Sequence, residues 1–94
     1  MEMPKFRRKG FAVEIEAVQL TADNADEVSK WSGNSPIVVE HDALDHSKTQ
    51  PGLNVGTFDG NRRASVGDFI VKDLLGEFHV RQQGDFLSKY EPVD

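Results

Sequence analysis

The chain contains no cysteine. That absence excludes a disulfide framework, a thiolate nucleophile and any metal site built on sulfur. Small secreted domains commonly depend on disulfides, so their lack points to an intracellular life. Long apolar runs are missing too. No stretch approaches the ~18–20 residues of a membrane-spanning helix, so no membrane association is expected. Residues 1–10 hold basic groups but no following apolar run of ~7–15 residues, as a signal peptide requires. Catalytic signatures are equally scarce. Gly-x-Ser-x-Gly, the Walker-A loop and Gly-x-Gly-x-x-Gly do not occur, and the eight glycines fall mainly where turns want them. These absences point away from an enzyme and call for no cofactor. A small-ligand binder or small enzyme is the alternative, and an enclosed polar pocket lined by acidic or histidine residues would be its sign.

Positive charge is also short. A net charge of −5 argues against broad binding to a phosphate backbone, which needs Lys and Arg to dominate a face. One local exception is the run Lys5, Arg7, Arg8 and Lys9 around Phe6. Residues 1–10 therefore read as a basic N-terminal arm or edge strand, in which cations guard the edge against unwanted pairing. A nucleic-acid-binding arm is the alternative reading of the same four residues.

What is present describes one small domain over residues 11–94. A chain of this length buries roughly 60–65% of the surface its unfolded form exposes, so the core is thin and a homo-oligomer would help it. Phe11, Val13 and Ile15 alternate with Ala12, Glu14 and Glu16, the period of a half-buried strand. The alternation changes phase at Ala17-Val18, which implies a bulge or a strand end buried on both faces. Thr21 or Asp23 can cap a helix over residues 23–32, with Ala25, Val28 and Trp31 on one stripe and Gly33 beyond its end. Pro36-Ile-Val-Val-Glu40 reads as an inner strand, and residues 41–52 as a polar loop ending in Pro51-Gly52.

Residues 53–94 pair off into two hairpins and a short helix. A type I′ turn at Asp59-Gly60 sets Val55 opposite Ala64 and Leu53 opposite Val66. A turn over Asp73-Leu-Leu-Gly76 sets Val71 opposite Phe78 and Phe69 opposite Val80. Asp85 then caps a helix carrying Phe86, Leu87 and Tyr90, which Pro92 ends. The expected fold class is α+β, with a mostly antiparallel, curled sheet of five to six strands. One helix lies on a face of that sheet and a short C-terminal helix closes an edge.

Residues with metal-ligand chemistry cluster only at His41, Asp42, Asp45 and His46, where no regular conformation converges three or four ligands. No metal is expected there. These four residues and Lys48 are instead candidates for contacting a protein partner, because long loops carry function. Glu14 and Glu16 read as a solvated strand face, and His79 as an exposed histidine beside Ile70.

The motifs taken together resemble a family of small proteins encoded by tailed bacteriophages and prophages. The resemblance rests on Arg7-Arg8-Lys9, Glu16-Ala-Val-Gln19, Asp23-Asn-Ala-Asp-Glu27, Gly67-Asp-Phe-Ile70, Gly76-Glu77, and Phe86 with Tyr90-Glu91. The chain departs in having Gly10-Phe11 where a proline often follows the basic run, and in its longer segment over residues 41–52. The resemblance brings no catalytic residues with it. It implies a phage accessory protein in the host cytoplasm, or associated with the virion, that contacts a host or phage protein.

Overall fold

The computed structural model describes the backbone of residues 3–42 and 45–93, and the side chains of those outside residues 39–49. The basic N-terminal segment is a strand, β1 (Lys5–Arg8). It pairs antiparallel with β2 (Glu14–Gln19) on one side and with a short terminal strand, Tyr90–Pro92, on the other. It is therefore an inner strand, not the expected arm or edge. The edge falls to Tyr90–Pro92, where Pro92 suits a strand with one unpaired side.

β2 starts at Glu14, so Phe11 and Val13 lie outside it in the connection and are exposed. Ala17 and Val18 are both buried, in separate apolar clusters on opposite faces. That burial on both faces explains the change of phase. The register against β6 (Phe69–Lys72) runs unbroken from Glu16 to Gln19, so no bulge interrupts that pairing.

Helix α1 spans Ala25–Ser32, and Asn24 stands before its first residue. Neither Thr21 nor Asp23 caps it. Thr21 Oγ1 instead accepts the backbone N–H groups of Asp23 and Asn24, and Asn24 Oδ1 accepts that of Thr21 at 2.7 Å, which shapes the approach. Gly33, at φ 70°, ends the helix with its N–H donated to Ser29 O.

Strands β3 (Ser35–Asp42), β4 (Asp45–Thr57) and β5 (Gly60–Ala64) form a second sheet in that order. Two expectations change here. β3 is an edge strand, with Val38 exposed, and residues 45–52 belong to the 13-residue β4, not to a loop. Pro51 and Gly52 weaken the strand signal, yet they lie where β4 pairs with β3 alone, a setting that tolerates proline.

The other sheet has the order β7 (Phe78–Arg81), β6, β2, β1, β8 (Tyr90–Pro92). The fold is α+β with antiparallel pairing throughout, divided between sheets of five and three strands instead of one curled sheet. One face of the five-stranded sheet contributes Val18 and Ile70 to a core with Leu53, Val55 and Ala64 of the second sheet and Ala25 and Val28 of α1. The other face holds Phe6, Ala17, Phe69 and Val71 beneath α2 (Gln83–Lys89). From α2, Phe86 stacks on Phe69 at 4.4 Å and on Tyr90 at 4.8 Å, and meets Phe6 edge-on at 5.0 Å. Thus α2 covers a sheet face; the edge it was expected to close is occupied by β8. Gln82, not Asp85, precedes its first residue.

Candidate functional site

Among the described residues, the β6–β7 turn brings together the one cluster of acid and histidine side chains close enough to share a ligand. Asp73 Oδ1 accepts the backbone N–H groups of Leu75 and Glu77, each at 2.9 Å, and Gly76 takes the positive φ of 84°. Three residues, Leu74 to Gly76, thus bridge the hydrogen-bonded pair Asp73 and Glu77. The observed partners are Lys72 with Phe78, Val71 with His79, Ile70 with Val80 and Phe69 with Arg81. That register is one residue away from the expected one, and a one-residue slip reverses the faces of the whole strand. Phe78 therefore joins the Val18–Ile70 side, edge-on to Trp31 at 5.2 Å, while Phe69 lies on the opposite face. The expected opposition of Lys72 to Glu77 and of Asp68 to Arg81 does not form.

The same slip relocates His79. Its Nε2 lies 2.7 Å from Asp73 Oδ2, and both side chains are partly buried. The hydrogen bond from His79 holds the Asp73 carboxyl below its ordinary range. The Glu77 and Leu75 amides act in the same direction, against the opposing effect of partial burial. Glu77 brings a further carboxylate, and ligand atoms of Asp73, Glu77 and His79 lie within 4.8 Å of one another. The short Asp73–His79 contact accounts for this convergence as an acid–histidine pair that clasps the hairpin.

Around this turn two surfaces stand out. The first is apolar. Phe11 and Val13, 60% and 53% exposed, come from the β1–β2 connection, and Leu74 and Leu75, 72% and 85% exposed, come from the turn itself. With Ile15, Tyr90 and Arg8 they line a hollow of about 400 Å³. The Arg8 guanidinium lies 5.7 Å from the centre of the Phe11 ring. Ile15 and Tyr90 also pack against the Phe6–Phe86 core, so the hollow extends that core into solvent.

The second surface is a groove of about 510 Å³ between the β4–β5 hairpin and β7. Arg62, Arg63 and Arg81 line it with Asp59, Glu77 and His79. The hairpin register here is Leu53 with Ala64 and Val55 with Arg62, two residues from the expected one. An even slip preserves faces, so Leu53, Val55 and Ala64 are still buried together. The turn is not type I′, because Gly60 alone carries positive φ, at 109°, and Asp59 does not.

The basic run is divided by the pleat. Lys5 and Arg7 stand opposite Glu16 and Glu14 across the β1–β2 pair, and Arg7 Nε donates to Glu91 Oε1 at 2.9 Å. Arg8 lies over Phe11, and Lys9 follows the strand. The four cations of the candidate nucleic-acid arm thus share no single face. His41 and Asp42 belong to β3, and Asp45, His46 and Lys48 to β4; their side chains lie outside the described residues. The motif residues at Gly67 and Asp68 form a turn leading into β6. Gly67, at φ 101°, donates its N–H to Leu20 O, and Asp68 O receives the Leu20 N–H.

Sequence reasoning missed the apolar hollow, the arginine groove and the Asp73–His79 pair. One signal was available: a Leu-Leu pair held between Asp73 and Gly76 of a tight turn has nowhere to be buried. Compared with known proteins, the chain matches no family model, no curated protein and no solved structure.

Proposed function

We propose that the chain is a protein-interaction module, a small accessory protein of a tailed phage or prophage that binds a host protein or a phage component. The observation that carries this reading is the apolar hollow of Phe11, Val13, Leu74 and Leu75. Two separate connections supply these residues, and contiguous apolar surface of this kind marks contact sites. Burying one such side chain is worth about 1.5–3 kcal/mol. Several together offset part of the cost of association. The phage setting rests on the sequence resemblance, whose motifs Glu16–Gln19 and Gly67–Ile70 are structural here. They pair as β2 and β6, with Gln19 Nε2 donating to Gly67 O.

The nucleic-acid reading draws less support, because Arg7 is paired with Glu91 and the run faces two ways. The test is comparative affinity capture from phage-infected or lysogenic cells with wild-type protein and a Phe11→Ser/Leu75→Ser variant. Both substituted side chains are exposed, so the thermal melt should stay unchanged. A specific protein bound by the wild type and lost from the variant supports the reading. Retention of every wild-type partner by the folded variant rejects it.

A further inference from the structure

Among the described residues, the outer edge of β7 carries backbone groups without partners. Asp73 N–H donates to Glu77 O at 2.9 Å, which makes those two residues a hydrogen-bonded pair. Bonded and non-bonded pairs alternate along an antiparallel ladder. Val71 with His79 and Phe69 with Arg81 therefore bond to each other, while Phe78 and Val80 turn their N–H and C=O groups away from β6. β7 ends its sheet, and among the described residues no other strand pairs with that side. Among the described residues the Val80 carbonyl accepts only Arg81 Nη1, at 3.1 Å.

The arginine groove runs beside this edge. Arg62 and Arg63, on alternate faces of β5, line it with Arg81 of β7 and the exposed Phe58. None of the three guanidinium groups is in an ion pair with a carboxylate among the described residues. They outnumber the two carboxylates that line the groove, on a chain whose net charge is −5. An open strand edge selects an extended peptide. Unpaired guanidinium groups select carboxylates, which they can hold through two parallel hydrogen bonds.

We propose that this groove takes an extended acidic peptide from a partner protein as an added strand on β7, with its carboxylates on Arg62, Arg63 and Arg81. The surface is separate from the apolar hollow, and the proposal stands without it. Main-chain bonds to Phe78 and Val80 supply the alignment, and the arginines supply the preference for acid. The three arginines are exposed, so their charge contribution, and with it the binding, weakens as salt rises.

The probe is a fluorescein-labelled peptide alternating glutamate with valine, followed by fluorescence anisotropy. The wild-type chain should bind it in a salt-sensitive manner, and Arg62→Glu/Arg63→Glu should weaken binding by roughly tenfold or more. Both arginines are exposed, so that variant should melt like the wild type. Methylating alternate peptide amides removes strand-forming N–H groups but keeps the charge, and it should also weaken binding. The proposal is overturned if the acidic peptide does not bind, if a lysine–valine peptide binds as well, or if amide methylation has no effect. Tighter binding of a single-stranded oligothymidylate would overturn it in favour of nucleic acid. Self-association of the wild type that is lost in the arginine variant would make a second copy the occupant, and would overturn it too.

Discussion

At the scale of single residues, the partly buried Asp73 carboxylate serves both the turn and the hairpin. One carboxylate oxygen receives two backbone N–H groups that shape the turn, and the other meets His79 across the hairpin. Replacing it with alanine removes the turn's acceptor and should cost about 1 kcal/mol. Asp73→Asn removes the charge and the acceptor facing His79, while its amide oxygen can still accept both backbone groups. The carboxyl is held below its ordinary value by His79 first and the two amides next. Its charged form is therefore favoured in the folded state. The stability it adds is present above the unfolded carboxyl value of about 3.9, and is lost as pH falls through the lower folded value. Urea midpoints for the wild type and Asp73→Asn should differ at neutral pH and converge on acidification below about pH 4. A gap that persists unchanged under acid would show that the charge of Asp73 contributes nothing.

At the scale of elements, the two hairpins show how far a sequence can carry a register. Alternation placed Leu53, Val55, Ala64 and Val66 on one buried face. After a slip of two residues the first three are buried together, while Val66 lies beyond β5 and is only partly buried. The β6–β7 hairpin had no such protection. Its turn uses three residues with Gly76 left-handed, where an even loop was expected, and that single residue moved Phe78 and His79 to opposite faces. The acid–histidine pair was illegible for this reason alone. α1 and its Gly33 terminus were legible, because local spacing decides them. At Ala17-Val18 spacing offered a bulge or burial on both faces, and the structure has the second. The long β4 was not, because polar residues with Pro51 and Gly52 become strand only through pairing with β3. Gly76 tests the account of the second turn. A Cβ there meets nothing within 4 Å, so any penalty comes from the backbone alone. Gly76→Ala should lose about 1–2 kcal/mol. Gly76→Asn should lose less, since Asn enters the left-handed region more readily. Equal stability of glycine and alanine variants in denaturant titrations would contradict the left-handed turn.

Across the whole molecule, the five-stranded sheet separates two cores of unequal support. On one face, a second sheet and α1 enclose Val18, Leu20, Val28, Leu53, Val55 and Ile70. On the other, the seven-residue α2 covers Phe6, Phe69 and Val71 and buries one side chain of its own, Phe86. A helix of that length has little stability apart from its packing. It should therefore open locally, together with β8, at a lower free energy than global unfolding. The amide of Leu20, donated to Asp68 O, reports the enclosed core, and that of Phe86, donated to Gln82 O, reports the thin one. Native-state hydrogen exchange should give Leu20 the protection of global unfolding, and give Phe86 distinctly less. The apolar hollow adjoins the thin core through Ile15 and Tyr90, so a partner seated there would bury more of that side and raise the protection of Phe86. A partner in the arginine groove would act on β7 and leave Phe86 nearly unchanged. Equal protection of the two amides in the unbound protein would mean that both cores unfold as one unit, and the link between α2 and binding at the hollow would fail with it.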